Sequence, residues 1–226
     1  MINFYEERFD GEVLAKKIYE ERPGIVVLKD ILKPDACKNL LDEIQSKSHL
    51  LKKADERLRR AEQRFLKYYF GKAETGSNEN LDFPLVSHAA KEYDTLTKDL
   101  VRQAGLSQKS ISSVGIHRYC EDDKPGIDPH RDISSVQLVA VLVLEGHSPF
   151  YTADDYELTI NKQTFDIEPR SLILMRGPRN TLERNLTKQN QEYDPMKDPR
   201  PIHCLGPIKK ERIALLFRHI DELVKQ

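Results

Sequence analysis

Near Ile111 the hydrophobic pattern of this 226-residue chain changes period. Before that point apolar residues recur at helical spacing. Gly11 to Glu21 carries Val13, Leu14 and Ile18, and Pro23-Gly24 stops it ahead of a short strand, Ile25 to Leu28. Pro34 and Asp35 open a helix bearing Cys37, Leu40, Leu41 and Ile44, with proline where its missing N–H costs nothing. Leu50 to Phe70 reads as a long charged helix, and Pro84 to Ala104 as another that ends at Gly105. After Ile111 the period shortens to two or gives way to compact β-branched runs: SSVGIHRYC, SVQLVAVLVLEG, YELTI, QTFDI, SLILMRG and ERIALLFRHI. Asn161-Lys162 reads as a tight hairpin between YELTI and QTFDI. Short strands with regular turn signals predict a sandwich or barrel, with the preceding helices on one sheet, so the class is α+β. No internal repeat or linker divides the chain, and one domain over residues 1–226 is expected.

Charge narrows the partners. Lys and Arg number 36 against 37 Asp and Glu, so a net charge of -1 gives no global field toward nucleic acid or anionic lipid. The densest basic stretch, Lys52 to Lys67, alternates acid and base at helical pair spacing and reads as a solvated helix face, with Phe65 and Tyr68 to Phe70 packing at its end. The longest apolar run, Val136 to Leu144, falls well short of the ~20 residues of a membrane span. The opening MINFYEERFD has no apolar signal region, and a cytoplasmic protein is expected. Cys37, Cys120 and Cys204 are scattered without a CxxC pair, which predicts free thiols.

His130-Arg131-Asp132 carries the chemistry. In an extended segment the imidazole and the carboxylate at i and i+2 point to one side, and Arg131 faces away. His203, at the start of a later strand, can complete a facial set of two imidazoles and one carboxylate, which suits Fe(II) and leaves positions open for a chelating cosubstrate and dioxygen. The last strand places Arg212, Ala214, Leu216 and Arg218 on one face and Ile213, Leu215 and Phe217 on the other. Two guanidiniums on one inward face call for a dicarboxylate between them, because without one their like charges are costly to desolvate. His49 and His88 lack partners at ligand spacing and read as surface or core histidines; His219 is directed away from the site, and His147, in a turn after the central strand, is within reach of a substrate but is not expected to approach it.

These motifs make the segment Ile111 to Ile220 resemble the AlkB-like branch of the Fe(II)- and 2-oxoglutarate-dependent dioxygenases, with a weaker echo in PGIVVLKDILKPDACKNLLDEI. The resemblance implies a double-stranded β-helix, or jelly roll, at 111–220, behind a mainly helical 1–110 and broken by an inserted loop at 178–201. It implies iron on His130, Asp132 and His203, with 2-oxoglutarate and dioxygen as cosubstrates. Arg212 then holds the distal carboxylate of 2-oxoglutarate and Arg218 lies by the carboxylate near iron; Tyr119 reaches the distal carboxylate, and His117 stands where the family has asparagine. Ala214 and Leu216 replace polar residues of the family's last strand, and Ile133, Ser134 and Ser135 stand where its repair members carry an acidic base reader. About 25 residues separate Gly177 from His203, where the family has a short connection, and that stretch reads as a lid or an insertion. The expected activity is hydroxylation, or oxidative dealkylation, of a small metabolite or amino-acid-like molecule. Two alternatives stay open: demethylation of alkylated nucleobases, which would make nucleic acid a partner, and a metal-binding scaffold that has lost turnover.

Overall fold

The computed structural model describes residues 4–6, 10–53, 61–67, 82–107, 109–119, 122–187, 193–208 and 210–221. Its helices are α1 (Gly11–Tyr19), α2 (Pro34–Ser46), α3 (Pro84–Leu96), α4 (Lys98–Gln103) and α5 (Thr181–Asn185). Its strands are β1 (Ile25–Leu28), β2 (Lys52–Lys53), β3 (Ala61–Lys67), β4 (Ser113–Tyr119), β5 (Asp122–His130), β6 (Val136–Glu145), β7 (Ser148–Ala153), β8 (Gln163–Ile167), β9 (Leu172–Arg176), β10 (Ile202–Ile208) and β11 (Arg212–Ile220). Among the described residues no helix is long and apolar enough to cross a membrane.

The strands form two antiparallel sheets, ordered β1-β9-β6-β11-β4-β3-β2 and β5-β10-β7-β8. From β4 onward the chain passes repeatedly from one sheet to the other: β4, β6, β9 and β11 lie in the larger, and β5, β7, β8 and β10 in the smaller. That alternation is the jelly roll expected of this segment, here extended at both edges by strands from the first hundred residues.

Period-two patterning sorts the larger sheet's side chains into two cores. Leu138, Ala140, Leu142, Leu144, Leu172, Leu174, Ile213, Leu215 and Phe217 join Leu40, Ile44, Phe83 and Leu100 of the helical layer in one buried cluster. Val139, Val143, Ile173, Met175 and Leu216 face the other way and meet Phe150 and Ile167 of the smaller sheet. The helices therefore cover one face of the larger sheet, and its other face is left for the site. Carboxylates cap the starts of α1 and α3. The Asp10 carboxylate accepts from Val13 N–H at 3.0 Å, and the Glu43 carboxylate of α2 accepts from Leu85 and Val86 N–H, both at 3.0 Å, closing the start of α3. Tyr93 of α3 stacks on Phe217 with ring centroids 4.5 Å apart.

Three expectations need correction. Leu50 to Phe70 is not one helix: Lys52–Lys53 and Ala61–Lys67 pair as strands, and β3 runs along β4 in the register Ala61↔Tyr119 to Lys67↔Ser113. Residues 54–60 and 68–70 lie outside the described set, as does Cys120. An open sheet edge supplied a partner that overrode the local charge alternation. Second, Pro84 to Ala104 is two helices, broken at Thr97, whose hydroxyl donates back to the Tyr93 carbonyl at 2.9 Å. Third, Tyr156 to Ile160 is not a strand. It lies in the loop joining β7 to β8, where the Asp155 carboxylate accepts from Thr159 and Ile160 N–H at 2.8 and 2.7 Å. QTFDI pairs with β7 instead.

Gly177, just past β9, marks a close approach of backbones. A Cβ there would lie 1.7 Å from the Val136 carbonyl oxygen, while its own N–H donates to Gln137 O at 2.8 Å. Gly177→Ala is expected to destabilise the protein by at least about 1–3 kcal/mol, the cost of overpacking, as read from the urea unfolding midpoint.

Candidate metal centre

The pairing of β5 with β10 assembles the site. His130, the last residue of β5, is the register partner of His203 near the start of β10, so the two imidazoles are cross-strand neighbours on one face with ring centroids 4.4 Å apart. Asp132 follows two residues later, and its carboxylate Oδ2 stands 3.7 Å from His203 Nε2. One ligand atom from each of His130, Asp132 and His203 lies within 4.8 Å of the others.

Both rings are oriented from behind. His130 Nδ1 lies 2.9 Å from the Asp128 carbonyl and His203 Nδ1 lies 3.2 Å from the Pro201 carbonyl. Carbonyls only accept, so each Nδ1 carries a proton and each Nε2 is the nitrogen left to ligate. Phe150 packs on His203 at 5.6 Å between ring centroids. Burial pushes His203 down to about 4, with Asp132 opposing, which keeps the imidazole neutral and able to ligate.

A cavity of about 100 Å³ opens beside this group. Its polar lining is His117, Tyr119, Arg212 and Arg218, together with the three possible ligands; Val139, Val141, Ile173, Met175, Ala214 and Leu216 supply apolar walls. The alternation predicted for the last strand is thus observed, since Arg212, Ala214, Leu216 and Arg218 all face the cavity. Arg212 is only 3% exposed, lies over the Tyr119 ring at 5.7 Å, and has neither a carboxylate partner nor a hydrogen bond among the described residues; its Nε is buried and unsatisfied. Burial lowers the Arg212 pKa, with Tyr119 opposing. Arg218 is lowered for the same reason, with Asp132 and Tyr119 opposing. Burial raises Tyr119 to about 12 against the pull of the two arginines, so its phenol remains a donor. His117 Nδ1 stands 3.1 Å from the Tyr119 hydroxyl, and burial followed by Arg218 and Arg212 pushes this imidazole down to about 3.

His117 and His203 are therefore neutral in the folded protein, whereas in the unfolded chain they take up protons near pH ~6.5. Between these limits the unfolded state binds more protons, so the stability they contribute is complete above about pH 6.5 and is lost as pH falls toward their folded values. The metal-free protein is expected to melt progressively lower from about pH 7 to about pH 5, and His117→Asn to flatten that slope.

The remaining histidines lie elsewhere. His219 is fully buried on the helical side, 6.3 Å from Tyr93 between rings, as its strand position requires. His147 pairs with Asp166, and His88 with Glu92 at 3.8 Å. Cys37 and Cys204 are buried free thiols. Phe150 and Leu205 of the smaller sheet line the site without having been singled out in the sequence, because apolar strand residues carry no mark that separates a cavity wall from a core.

No family model matches the chain, and no curated protein matches it in sequence. Solved structures do. A prolyl hydroxylase from Trichoplax adhaerens, in complex with a hypoxia inducible factor oxygen degradation domain peptide fragment, superposes with a TM-score of 0.65 at 13% identity, covering 96% of this chain and 94% of its own. A prolyl-4-hydroxylase from Pseudomonas putida gives 0.62 at 14% identity, with 93% and 98% covered. A full-length Neurospora crassa protein, in complex with alpha-KG and 5-formyluracil, gives 0.61 at 10% identity, with 93% and 77% covered. At these identities the common ground is architecture, and the chain shares the jelly-roll fold of these proteins along nearly its whole length.

Proposed function

We propose that this protein is an Fe(II)- and 2-oxoglutarate-dependent dioxygenase that hydroxylates, or oxidatively dealkylates, a small metabolite or amino-acid-like substrate. One observation carries the reading: a buried arginine with no carboxylate partner among the described residues shares a cavity with a His-Asp-His group of ligand geometry. A buried guanidinium is costly unless an anion neutralises it, and a dicarboxylate reaching toward the ligand group does so. The likeness to prolyl hydroxylases and to a structure holding alpha-KG supports the same chemistry.

The donor set fits iron, with two imidazoles that turn Nδ1 to a backbone carbonyl and leave Nε2 for a ligand, one carboxylate, and no thiolate. Iron with 2-oxoglutarate supplies, when bound, the oxidising power that places one atom of dioxygen in a C–H bond and the other in succinate. The residues of this chain do the rest. Arg212 and the Tyr119 hydroxyl would hold the distal carboxylate of 2-oxoglutarate, with Arg218 near its other end. His117, being neutral, can bond to the cosubstrate without adding a third positive charge. Val139, Val141, Ile173, Met175 and Leu216 exclude water from the reacting centre.

The motifs HRD, His203, Arg212 and Arg218 resemble those of AlkB-like enzymes, which oxidise alkylated bases, but among the described residues the acidic base reader expected after HRD is missing. Ile133, directly after the ligand Asp132, is 64% exposed where an acidic base reader would stand. The decisive experiment is anaerobic addition of Fe(II) and 2-oxoglutarate. A weak visible charge-transfer band of a chelated 2-oxoacid is expected, with succinate formed on admitting air. Neither signal would appear if the protein were a scaffold without turnover.

A further inference from the structure

Asp132 lies beyond the last pair of β5 with β10, in a link that rejoins a strand only at Val136, so neither sheet fixes its backbone. The inserted segment does. Arg200 Nη1 donates to the Asp132 carbonyl at 2.8 Å. Arg131, whose side chain is 5% exposed, turns away from the site and donates to the carbonyls of Arg200 and Pro195 and to the Tyr193 hydroxyl, each at 3.0 Å. At the hub is Asp198, whose side chain is 0% exposed. It accepts from Arg200 N–H and Nε at 3.0 Å and from Nη2 at 2.6 Å, accepts from the Tyr193 hydroxyl at 3.2 Å, and stands 3.8 Å from Arg131 Nε. One buried carboxylate thus locks two arginines, one adjoining Asp132 in sequence and the other bonded to its carbonyl.

We propose that residues 193–201 form a fixed brace for the metal centre, with Asp198, Arg200 and Arg131 as positioning residues that hold Asp132 ready to ligate. The proposal rests on the iron reading given above. A ligand already aligned loses no conformational freedom when the metal arrives, and removal of such supporting groups typically weakens metal binding about 10–100-fold. The insertion then serves affinity for iron, whatever covers the substrate.

Mn(II), which accepts the same nitrogen and oxygen ligands and is stable in air, is the probe. In the full chain, Asp198→Asn and Arg200→Gln are expected to raise the Mn(II) Kd about 10–100-fold and to shrink the rise in melting temperature that saturating Mn(II) produces. A merely structural role would lower the metal-free melting temperature and leave that rise unchanged. Arg22→Gln serves as the comparison. It cuts another tie to the insertion, the bond from Arg22 Nη2 to the Met196 carbonyl at 2.5 Å, without touching Asp132, and should leave Mn(II) affinity as in wild type. Wild-type Mn(II) affinity in folded Asp198→Asn and Arg200→Gln would overturn the brace and leave the iron reading standing. Absence of Mn(II) binding by the wild type would overturn both. Should both variants fail to fold, Tyr193→Phe, which removes one hydroxyl from the cluster, must still weaken Mn(II) binding several-fold, and unchanged binding there overturns the proposal equally.

Discussion

His203→Ala, His130→Ala and Asp132→Ala are each expected to abolish 2-oxoglutarate turnover while leaving a folded protein. The His203 variant is the most informative, because that residue reaches the site from the far side of the insertion and meets His130 only through the β5–β10 register. Removing one ligand leaves an incomplete facial set and forfeits several kcal/mol of metal-borne stabilisation, at about tenfold in rate per 1.4 kcal/mol. Folding should survive, since the core of Val139, Val143, Ile173 and Met175 keeps all its side chains. The checks are iron content, succinate release and the far-ultraviolet circular dichroism of each variant. Retention of both iron and turnover by His203→Ala would show that the ligand set has been misassigned.

Arg212→Met should move two observables in opposite directions. Affinity for 2-oxoglutarate should fall, since losing one partner of a buried charge-assisted pair costs on the order of 2–5 kcal/mol, roughly thirtyfold to several thousandfold in Kd. The ligand-free protein should melt at the same or a higher temperature, because methionine fills the space of a guanidinium that has no carboxylate partner among the described residues. Calorimetric titration with 2-oxoglutarate and a thermal melt of the same samples read both effects. Unchanged affinity would show that the last strand does not hold the cosubstrate. Lower ligand-free stability would show that Arg212 has a structural role in the empty protein.

The layout of the candidate site was legible where it rests on strand periodicity. Arg212 and Arg218 on one face of a seven-residue run follow from side chains alternating across a strand, and the structure keeps that pattern; Asp132 meets His130 and His203 from just past the end of β5, where no strand pairing holds it. The turn to strands near Ile111 was legible for the same reason. What was not legible depends on partners distant in sequence. Ala61 to Lys67 became a strand because β4 offered a free edge, not because of any local propensity. Tyr156 to Ile160 alternates like a strand, yet Asp155 captures its amides in a loop. The role of Asp198 was hidden altogether, since a carboxylate in a polar, proline-containing stretch looks solvated until two arginines are seen to enclose it.

The register that sets His130 against His203 also bears on how the chain folds. Its two histidines come from strands separated by most of the jelly-roll sequence, and such non-local pairings form only after the loop-closure entropy of the intervening chain has been overcome. A slip of one residue between β5 and β10 would send one imidazole to the opposite face. Nascent, misregistered or partly unfolded molecules therefore lack the pair of rings that would capture iron. On the proposed iron reading, oxygen activation would be confined to molecules whose walls are already closed, and the metal would cross-link the two strands whose pairing created its site.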